Sequence, residues 1–504
     1  MGGALATYGA EGLNVAMWLV LTPVLLHALG ATRFGLLALL GSILAYGPLL
    51  DLGIAGAAIK YIAEKEATGA RPEAEAMIAT CLRLYLGLGL AAAALSVPLA
   101  IVFPSLFPVA PEDRQAAIQG VLLIGLTLAL TIPSAAPGAV LRGLRRYDLA
   151  ALQSILGTLA VGAGTGFVLL AGGDLAGFIG VYVPAALLTL VGGIWLVRRA
   201  APDLRFGLAG ANRRLVPTIL GFGSSLFLTR AAAQLEWKTD ELVIGGILGL
   251  AAIAPYAVAL RLSSGVMIAT AQLAKVVFPM ASALHAVADR EQLRGLYLTS
   301  TRITVALALV SGCGIAVLAR PILMAWVGPQ YASGSRIAVV LTAAAMVTAS
   351  QWPGILVLQG MGHARRLALL ALLSGVLNLA LSMILAHVAG LMGVALGTLI
   401  PTLLLNCCAY LPLALKALDV RLAEFARHAV LPGVLPAAGL VLALGFLEGR
   451  VQGVGALALA GGLGAGLYLA LYLSQPAARL ERQYLHDFGA WSRQRFVGEA
   501  QQAP

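Results

Sequence analysis

The chain has 504 residues, of which 60% are hydrophobic and only 11% charged, with a formal net charge of +11. A soluble globular protein could not hide that much apolar side chain, and the apolar runs are continuous rather than alternating, which also excludes a β-barrel. The surplus base sits mostly in short stretches between these runs, so it reports membrane topology and not nucleic-acid binding.

The expected fold is all-α and polytopic, with about fourteen transmembrane helices of bilayer-spanning length. In chain order they cover 4–29, 33–62, 77–103, 116–139, 148–171, 175–197, 215–248, 252–284, 301–326, 333–359, 366–388, 391–415, 427–447 and 453–475. The start, MGGALATYGAEGLNV, lacks a basic n-region, so the first helix is expected to be a retained span and not a cleaved signal. Prolines such as Pro23, Pro48, Pro255 and Pro353 fall inside spans and mark kinks. Glycine and alanine are abundant, as close packing between membrane helices requires.

The loops divide by parity. After even-numbered spans come Lys60, Lys65 and Arg71, then Arg142, Arg145 and Arg146, then Arg198, Arg199, Arg205, Arg213 and Arg214. Arg290, Arg294 and Arg302, then Arg365 and Arg366, then Lys416, Arg421 and Arg427 continue the series, and the tail adds Arg479, Arg482, Arg493 and Arg495. After odd-numbered spans stand only Arg33, Arg114, Arg336 and Arg450. The positive-inside rule then puts both termini in the cytoplasm. Beyond residue 475, Leu480, Tyr484, Phe488 and Trp491 recur at helical spacing between arginines, the pattern of a short helix lying on the inner membrane surface.

Two junctions echo one another. LGATRFGLLAL (29–39) joins the first two spans, and LGLAAIAPYAVAL (248–260) joins the seventh and eighth. Aligning Leu29-Gly30 with Leu248-Gly249 puts Gly35 on Ala254 and Glu11 on Arg230. The expected organisation is therefore a first lobe (1–200), a second lobe (214–425), two further helices (426–475) and a cytoplasmic tail (476–504). Internal repeats of this kind place a transporter's substrate site at the lobe interface.

The seventh span is unusually charged. At about 100° per residue, Arg230, Gln234, Trp237, Lys238 and Glu241 fall on one stripe. The eighth aligns Arg261, Ser264, Gln272 and Lys275, the first aligns Glu11, Asn14, Trp18 and Thr22, and the second carries Asp51. A charge facing lipid at mid-bilayer costs at least ~2.5–3.5 kcal/mol, so these faces are expected to line a hydrated cavity or to meet one another. Arg230, Lys238, Arg261 and Lys275 would repel one another unless an anion lay between them, and the planar guanidinium suits phosphate. Glu11 and Asp51 can equally pair with Arg230, Lys238 or Arg83 in structural ion pairs, and Asp240 and Glu241 can be solvated at the outer end of the span. Asn378 is either an interhelical hydrogen bond or a cation ligand. Arg83 and Arg302 lie near cytoplasmic ends, where snorkelling accounts for them.

No phosphate-binding loop of the GxxxxGK[ST] type and no His pair with metal spacing occurs. Cys81, Cys313, Cys407 and Cys408 lie in apolar stretches and read as packing residues. An enzyme is therefore not expected, and no cofactor is called for beyond coupling to protons, sodium or the membrane potential, with Glu11, Asp51, Asp240 and Asn378 as candidates for coupling or gating.

FGLLALLGSILAYGPLLDLGIAGAAIKYIAE (34–64), TDELVIGGILGLAAIAPYAVALRLSSGV (239–266) and LVLQGMGHARRLALLALLSGVLNLAL (356–381) resemble the corresponding segments of bacterial polysaccharide-repeat-unit flippases. These belong to the multidrug/oligosaccharidyl-lipid/polysaccharide exporter superfamily, together with lipid II flippases and multidrug and toxin extruders. The resemblance covers the first twelve spans and departs at Pro255, where the junction usually carries a glycine-rich turn. It implies two six-helix lobes in a V, in the bacterial cytoplasmic membrane. It also implies the cargo, an undecaprenyl-pyrophosphate-linked oligosaccharide turned from inner to outer leaflet by alternating access, with basic cavity residues on the pyrophosphate. Arg230, Arg261 and Lys275 are the candidates for that role, joined by Lys238, Gln234 and Gln272. Membrane lipids and a polymerase or ligase of the same pathway are the implied partners. The rival readings are a cation/drug antiporter of the same fold, which wants buried acids, and a non-transporting membrane scaffold.

Overall fold

A computed structural model of the chain describes residues 2–221, 223, 227, 231, 234, 238–479 and 481–483. The side chains of residues 2–8, 10, 11, 272, 274 and 275 lie outside this description. The described residues are helical, with short turns and no strand. Eleven helices among them are long and apolar enough to cross a membrane.

The difference from the fourteen expected has identifiable sources. Helix α1 (Gly2–Ala45) carries a non-helical Gly30 (φ 70°, ψ 174°), where the first and second expected spans meet. The run Ala364–Leu405 likewise contains non-helical Ala389 and Gly390, between the eleventh and twelfth expected spans. At about 1.5 Å per residue, a 54-residue apolar run such as Ala364–Ala417 is far longer than one bilayer crossing. The seventh expected span is only partly described.

The remaining helices are α2 (Ile54–Ala67), α3 (Arg71–Leu106), α4 (Arg114–Gly143), α5 (Tyr147–Leu170), α6 (Leu175–Gly180), α7 (Tyr182–Ala200), α8 (Asp240–Ile247) and α9 (Leu250–Ala286). They continue with α10 (Arg290–Trp326), α11 (Ser335–Gly360), α12 (Ala364–Leu405), α13 (Leu411–Ala417), α14 (Leu422–Phe425), α15 (Leu431–Glu448) and α16 (Gly453–Leu473).

Two compact units emerge, Met1–Ala257 with Ala371–Gly397, and Val258–Leu370 with Thr398–Pro504. These bounds differ from the expected lobes. The C-terminal end of the seventh expected span and the middle of α12 belong with the first unit, where Asp240 and Ser382 meet.

In the first unit α4 packs on α3 and α7, and α1 packs on α5. One buried amide joins three of these helices: Gln153 Nε2 donates to the carbonyls of Ser134 (3.0 Å) and Thr189 (3.3 Å). Gly138 and Gly193 make room for it, since a Cβ on either would lie within 3.0 Å of the Gln153 side chain. Small residues and a shared polar group are how helices associate where lipid supplies no hydrophobic drive.

In the second unit α10, α15 and α16 share a core that includes Leu318, Leu440, Leu444, Tyr468 and Tyr472. Arg302 does not snorkel as the sequence suggested. Its Nε donates to Glu481 Oε1 at 2.8 Å, and the Tyr472 hydroxyl donates to the same oxygen at 3.2 Å. Both charged side chains are largely buried, so the segment after α16 folds back on α10. The tail from residue 484 onward, with its amphipathic stripe, lies outside the described residues. All four cysteines are free thiols.

Candidate functional site

The second expected span does not continue as one helix. After Ala45 the chain makes a 3-10 turn, Gly47–Asp51, with Pro48 near its start. It then passes through Leu52 and Gly53, both left-handed (φ 50° and 78°), before α2 begins. Such a break strands polar backbone groups inside a membrane segment, where each must find a partner. Asp51 supplies one: it is 7% exposed, and its Oδ1 accepts from the Ala55 N–H at 3.0 Å, capping the start of α2. The Tyr85 hydroxyl of α3 donates to the same oxygen at 2.5 Å. Gln234 supplies another, its Nε2 donating to the Ala45 carbonyl at 2.5 Å. Gly53 lies backbone to backbone with Gly223, since a Cβ on Gly53 would fall 2.2 Å from the Gly223 oxygen. The seventh span thus embraces the break at two described points.

The two echoed junctions meet. Gly30 and Gly249, aligned on sequence, are both left-handed (φ 70° and 91°). A Cβ on Gly35 would lie 1.9 Å from the Leu250 carbonyl oxygen. Both junctions thus place a positive-φ glycine at the aligned position, and the two pack against each other.

A second buried carboxylate stands at the start of α8. Asp240 was expected to allow for solvation at the outer end of its span, but it is 4% exposed. Its Oδ2 accepts from the Tyr256 hydroxyl at 2.5 Å, and its Oδ1 from the Ser382 hydroxyl at 3.3 Å. Ser382 also lies 3.4 Å from the Val394 carbonyl. The non-helical turn at Ala389 and Gly390 folds α12 back on itself, so that Gly393 touches the Leu385 carbonyl and Gly397 touches Ser382. One helical turn before Ser382 stands Asn378, 1% exposed, with neither amide atom hydrogen-bonded. A buried unsatisfied amide costs roughly 1–3 kcal/mol. The Asp240 carboxylate, the Ser382 hydroxyl and the Val394 carbonyl thus lie together, with the Asn378 amide one helical turn before Ser382 on α12.

The expected site residues separate as follows. Asp240 is linked to the helix of Asn378 through Ser382, and Asp51 sits at the helix break. Gln234 is committed to the backbone. Lys238 is half-buried directly before Thr239, and Arg261, in the second unit, is half-buried. Arg230 lies outside the described residues, as do the side chains of Glu11, Gln272 and Lys275. No group of three or more His, Cys, Asp or Glu side chains that could hold a metal occurs among the described residues. Sequence reasoning missed Tyr85, Tyr256 and Ser382. Only Ser382 left a trace, four residues beyond Asn378 on the same helical face.

The family model described as "Polysaccharide biosynthesis protein" matches residues 2–285, more than half of the chain. The chain belongs to this family. A curated relative, the uncharacterized membrane protein EpsK of Bacillus subtilis (strain 168), is 22% identical over 438 residues, which is 84% of this chain and 83% of the relative. Among solved structures, the lipid II flippase MurJ in an inward closed conformation superposes with a TM-score of 0.72 at 15% identity, covering 94% of this chain and 98% of that one. An inward-facing multidrug resistance MATE family transporter of the MOP superfamily superposes with a TM-score of 0.70 at 17% identity, over 81% of this chain and 95% of that one. This member of the polysaccharide biosynthesis family is thus a multi-pass membrane protein with the MOP exporter fold.

Proposed function

We propose that the protein flips a polyprenyl-pyrophosphate-linked oligosaccharide from the inner to the outer leaflet of the cytoplasmic membrane, by alternating access, for surface polysaccharide assembly. The observation that carries this reading is family membership in polysaccharide biosynthesis joined to an exporter fold. The cargo's headgroup is anionic and its tail is lipid. The headgroup enters a cavity while the tail stays in the bilayer, and the basic residues Arg230, Arg261, Lys275 and Lys238 offset the charge that hydrocarbon would refuse. Gln272 hydrogen-bonds sugar hydroxyls, whereas Gln234 acts by holding the helix break. With a negative interior, the membrane potential assists export of an anion by about 2.3 kcal/mol per charge per 100 mV.

Coupling falls to Asp240, Asn378 and Ser382, whose buried oxygens suit sodium or a proton. Asp51, already capped and hydrogen-bonded, serves the break. Two buried aspartates also favour a second reading, a cation/drug antiporter of the same fold.

The test replaces Arg230, Arg261 and Lys275 singly with Ala in a strain lacking the chromosomal copy, and measures surface glycan and membrane protein level. Glycan should fall severalfold at unchanged protein level. Full glycan in every variant sinks the pyrophosphate assignment, and a change in drug resistance without a change in glycan favours the antiporter. Replacing Asp240 with Asn should abolish any dependence of flipping on sodium or pH.

A further inference from the structure

In the first unit, the loop between α7 and the seventh expected span is strapped along the start of α3. Glu75 Oε1 accepts the Arg205 N–H at 3.0 Å, and further along the helix Thr80 Oγ1 accepts the Asn212 N–H at 3.0 Å. The Asn212 side chain in turn accepts the Arg214 N–H at 3.0 Å and shapes a 3-10 turn, Arg213–Leu215, that packs on α3. Arg213 and Arg214 are thereby brought to Arg83, which follows Thr80 by three residues and neighbours it on the helix surface. All three arginines are exposed, and none has an ion pair or a side-chain hydrogen bond among the described residues. The acids of this region are engaged elsewhere: Glu73 pairs with Lys65 at 2.7 Å, Asp203 lies 3.9 Å from Arg71, and Glu75 holds the strap.

The face of α3 that carries Arg83 indicates the missing counter-charge. At about 100° per residue, Arg83, Gly87, Leu90, Ala94, Val97 and Ile101 fall within an arc about 80° wide, and all are exposed. Leu90 is 68% and Ile101 71% exposed, too apolar a stripe to line water, so this face of a membrane helix meets acyl chains. Gly87, one turn from Arg83, has nothing within 4 Å of its Cβ position and leaves space beside the guanidinium. Snorkelling to headgroup level accounts for Arg83 alone. It does not account for a strap that delivers two more arginines to the same end of the stripe. Guanidinium forks at the end of an apolar stripe match a lipid with an anionic phosphate head.

We propose that Arg83, Arg213 and Arg214 bind the phosphate of an anionic phospholipid of the bulk membrane, with an acyl chain lying on the stripe from Gly87 to Ile101. The stripe faces lipid, which favours a bulk phospholipid over the transported cargo. The loop charges assign this end of α3 to the inner leaflet, where juxtamembrane bases attract anionic headgroups. The bound lipid ties the loop before the seventh span to α3. This goes beyond the transport reading and is measured without cargo.

The experiment takes the full chain, purified in detergent and stripped of lipid, and reads binding by native mass spectrometry and melting temperature. The probes are phosphatidylglycerol, phosphatidylcholine, inorganic phosphate and undecaprenyl phosphate. Phosphatidylglycerol should bind about tenfold more tightly than phosphatidylcholine and raise the melting temperature. Arg83→Ala, Arg213→Ala and Arg214→Ala combined should cut that binding about tenfold while leaving the lipid-free melting temperature unchanged. Arg365→Ala, Arg366→Ala and Arg427→Ala combined, which remove equal charge from exposed positions of the second unit, should match the parent. Gly87→Leu, which fills the space beside the guanidinium, and Thr80→Val, which unfastens the strap, should each weaken binding severalfold. Equal losses in the two triple variants, or no preference for phosphatidylglycerol, overturn the site in favour of general charge attraction. Parental binding in both Gly87→Leu and Thr80→Val also overturns it. Inorganic phosphate competing as well as the lipid overturns the lipid assignment. Undecaprenyl phosphate binding more tightly than phosphatidylglycerol, with the same arginine dependence, overturns the bulk lipid in favour of cargo.

Discussion

Gln234 reaches across from the seventh span and donates its side-chain amide to the backbone carbonyl of Ala45 at 2.5 Å. The residue sits on a stripe of charges and looks like cargo-binding, yet its amide completes a helix that proline and a 3-10 turn have opened. Gln234→Leu should leave the Ala45 carbonyl without this partner and destabilise the protein by about 1–3 kcal/mol. A lower melting temperature in detergent, with no change in cargo affinity for the protein that remains folded, is the expected outcome.

Tyr85 and Ala55 converge on one oxygen of Asp51. Tyr85→Phe removes a hydrogen bond to a carboxylate and should cost about 1.5–3 kcal/mol. Asp51→Asn should cost less than Asp51→Ala, because an amide oxygen still caps α2. Thermal unfolding of the three variants in one detergent checks the order, and Asp51→Ala equal to wild type would contradict the capping role.

Asn378 gives a sharper division. Its amide is buried and unsatisfied, so Asn378→Leu should leave stability unchanged or raise it by about 1–3 kcal/mol. If the amide serves a cation, the same variant should lose ion-dependent transport. A stabilised variant with full transport would return Asn378 to packing alone.

Gly35 is set against the Leu250 carbonyl with no room for a methyl group. Gly35→Ala should force the two echoed junctions apart, lowering both the melting temperature and the glycan level. Gly41→Ala, in the same helix with nothing within 4 Å of its Cβ position, is the matched control and should be silent.

The Arg302–Glu481 pair is buried enough that removing one partner strands the other. Arg302→Met or Glu481→Leu alone should cost about 3–5 kcal/mol, and the two together considerably less. A double-mutant cycle by thermal unfolding measures the coupling, and additive losses would mean that the pair is not coupled.

The membrane character, the positions of most helices and the glycine junctions were legible in the sequence because they are local. Chain periodicity and the energy of transfer into lipid act on neighbouring residues, and a left-handed backbone at Gly30 and Gly249 asks for glycine wherever it occurs. The polar residues were visible as anomalies, but their partners were not. Asp51 and Asp240 are both aspartates in apolar runs. Nothing near either in sequence says that one caps a helix and the other meets a serine 142 positions away.

By itself, the amino-acid sequence determined that this chain is a bundle of membrane helices carrying buried charge, since hydrophobic transfer depends on composition and spacing. Tertiary structure alone decided what the described charges are paired with. A hydrogen bond needs two atoms about 3 Å apart, and only packing brings Tyr85, Tyr256, Ser382 and Glu481 to the carboxylates and arginine they serve.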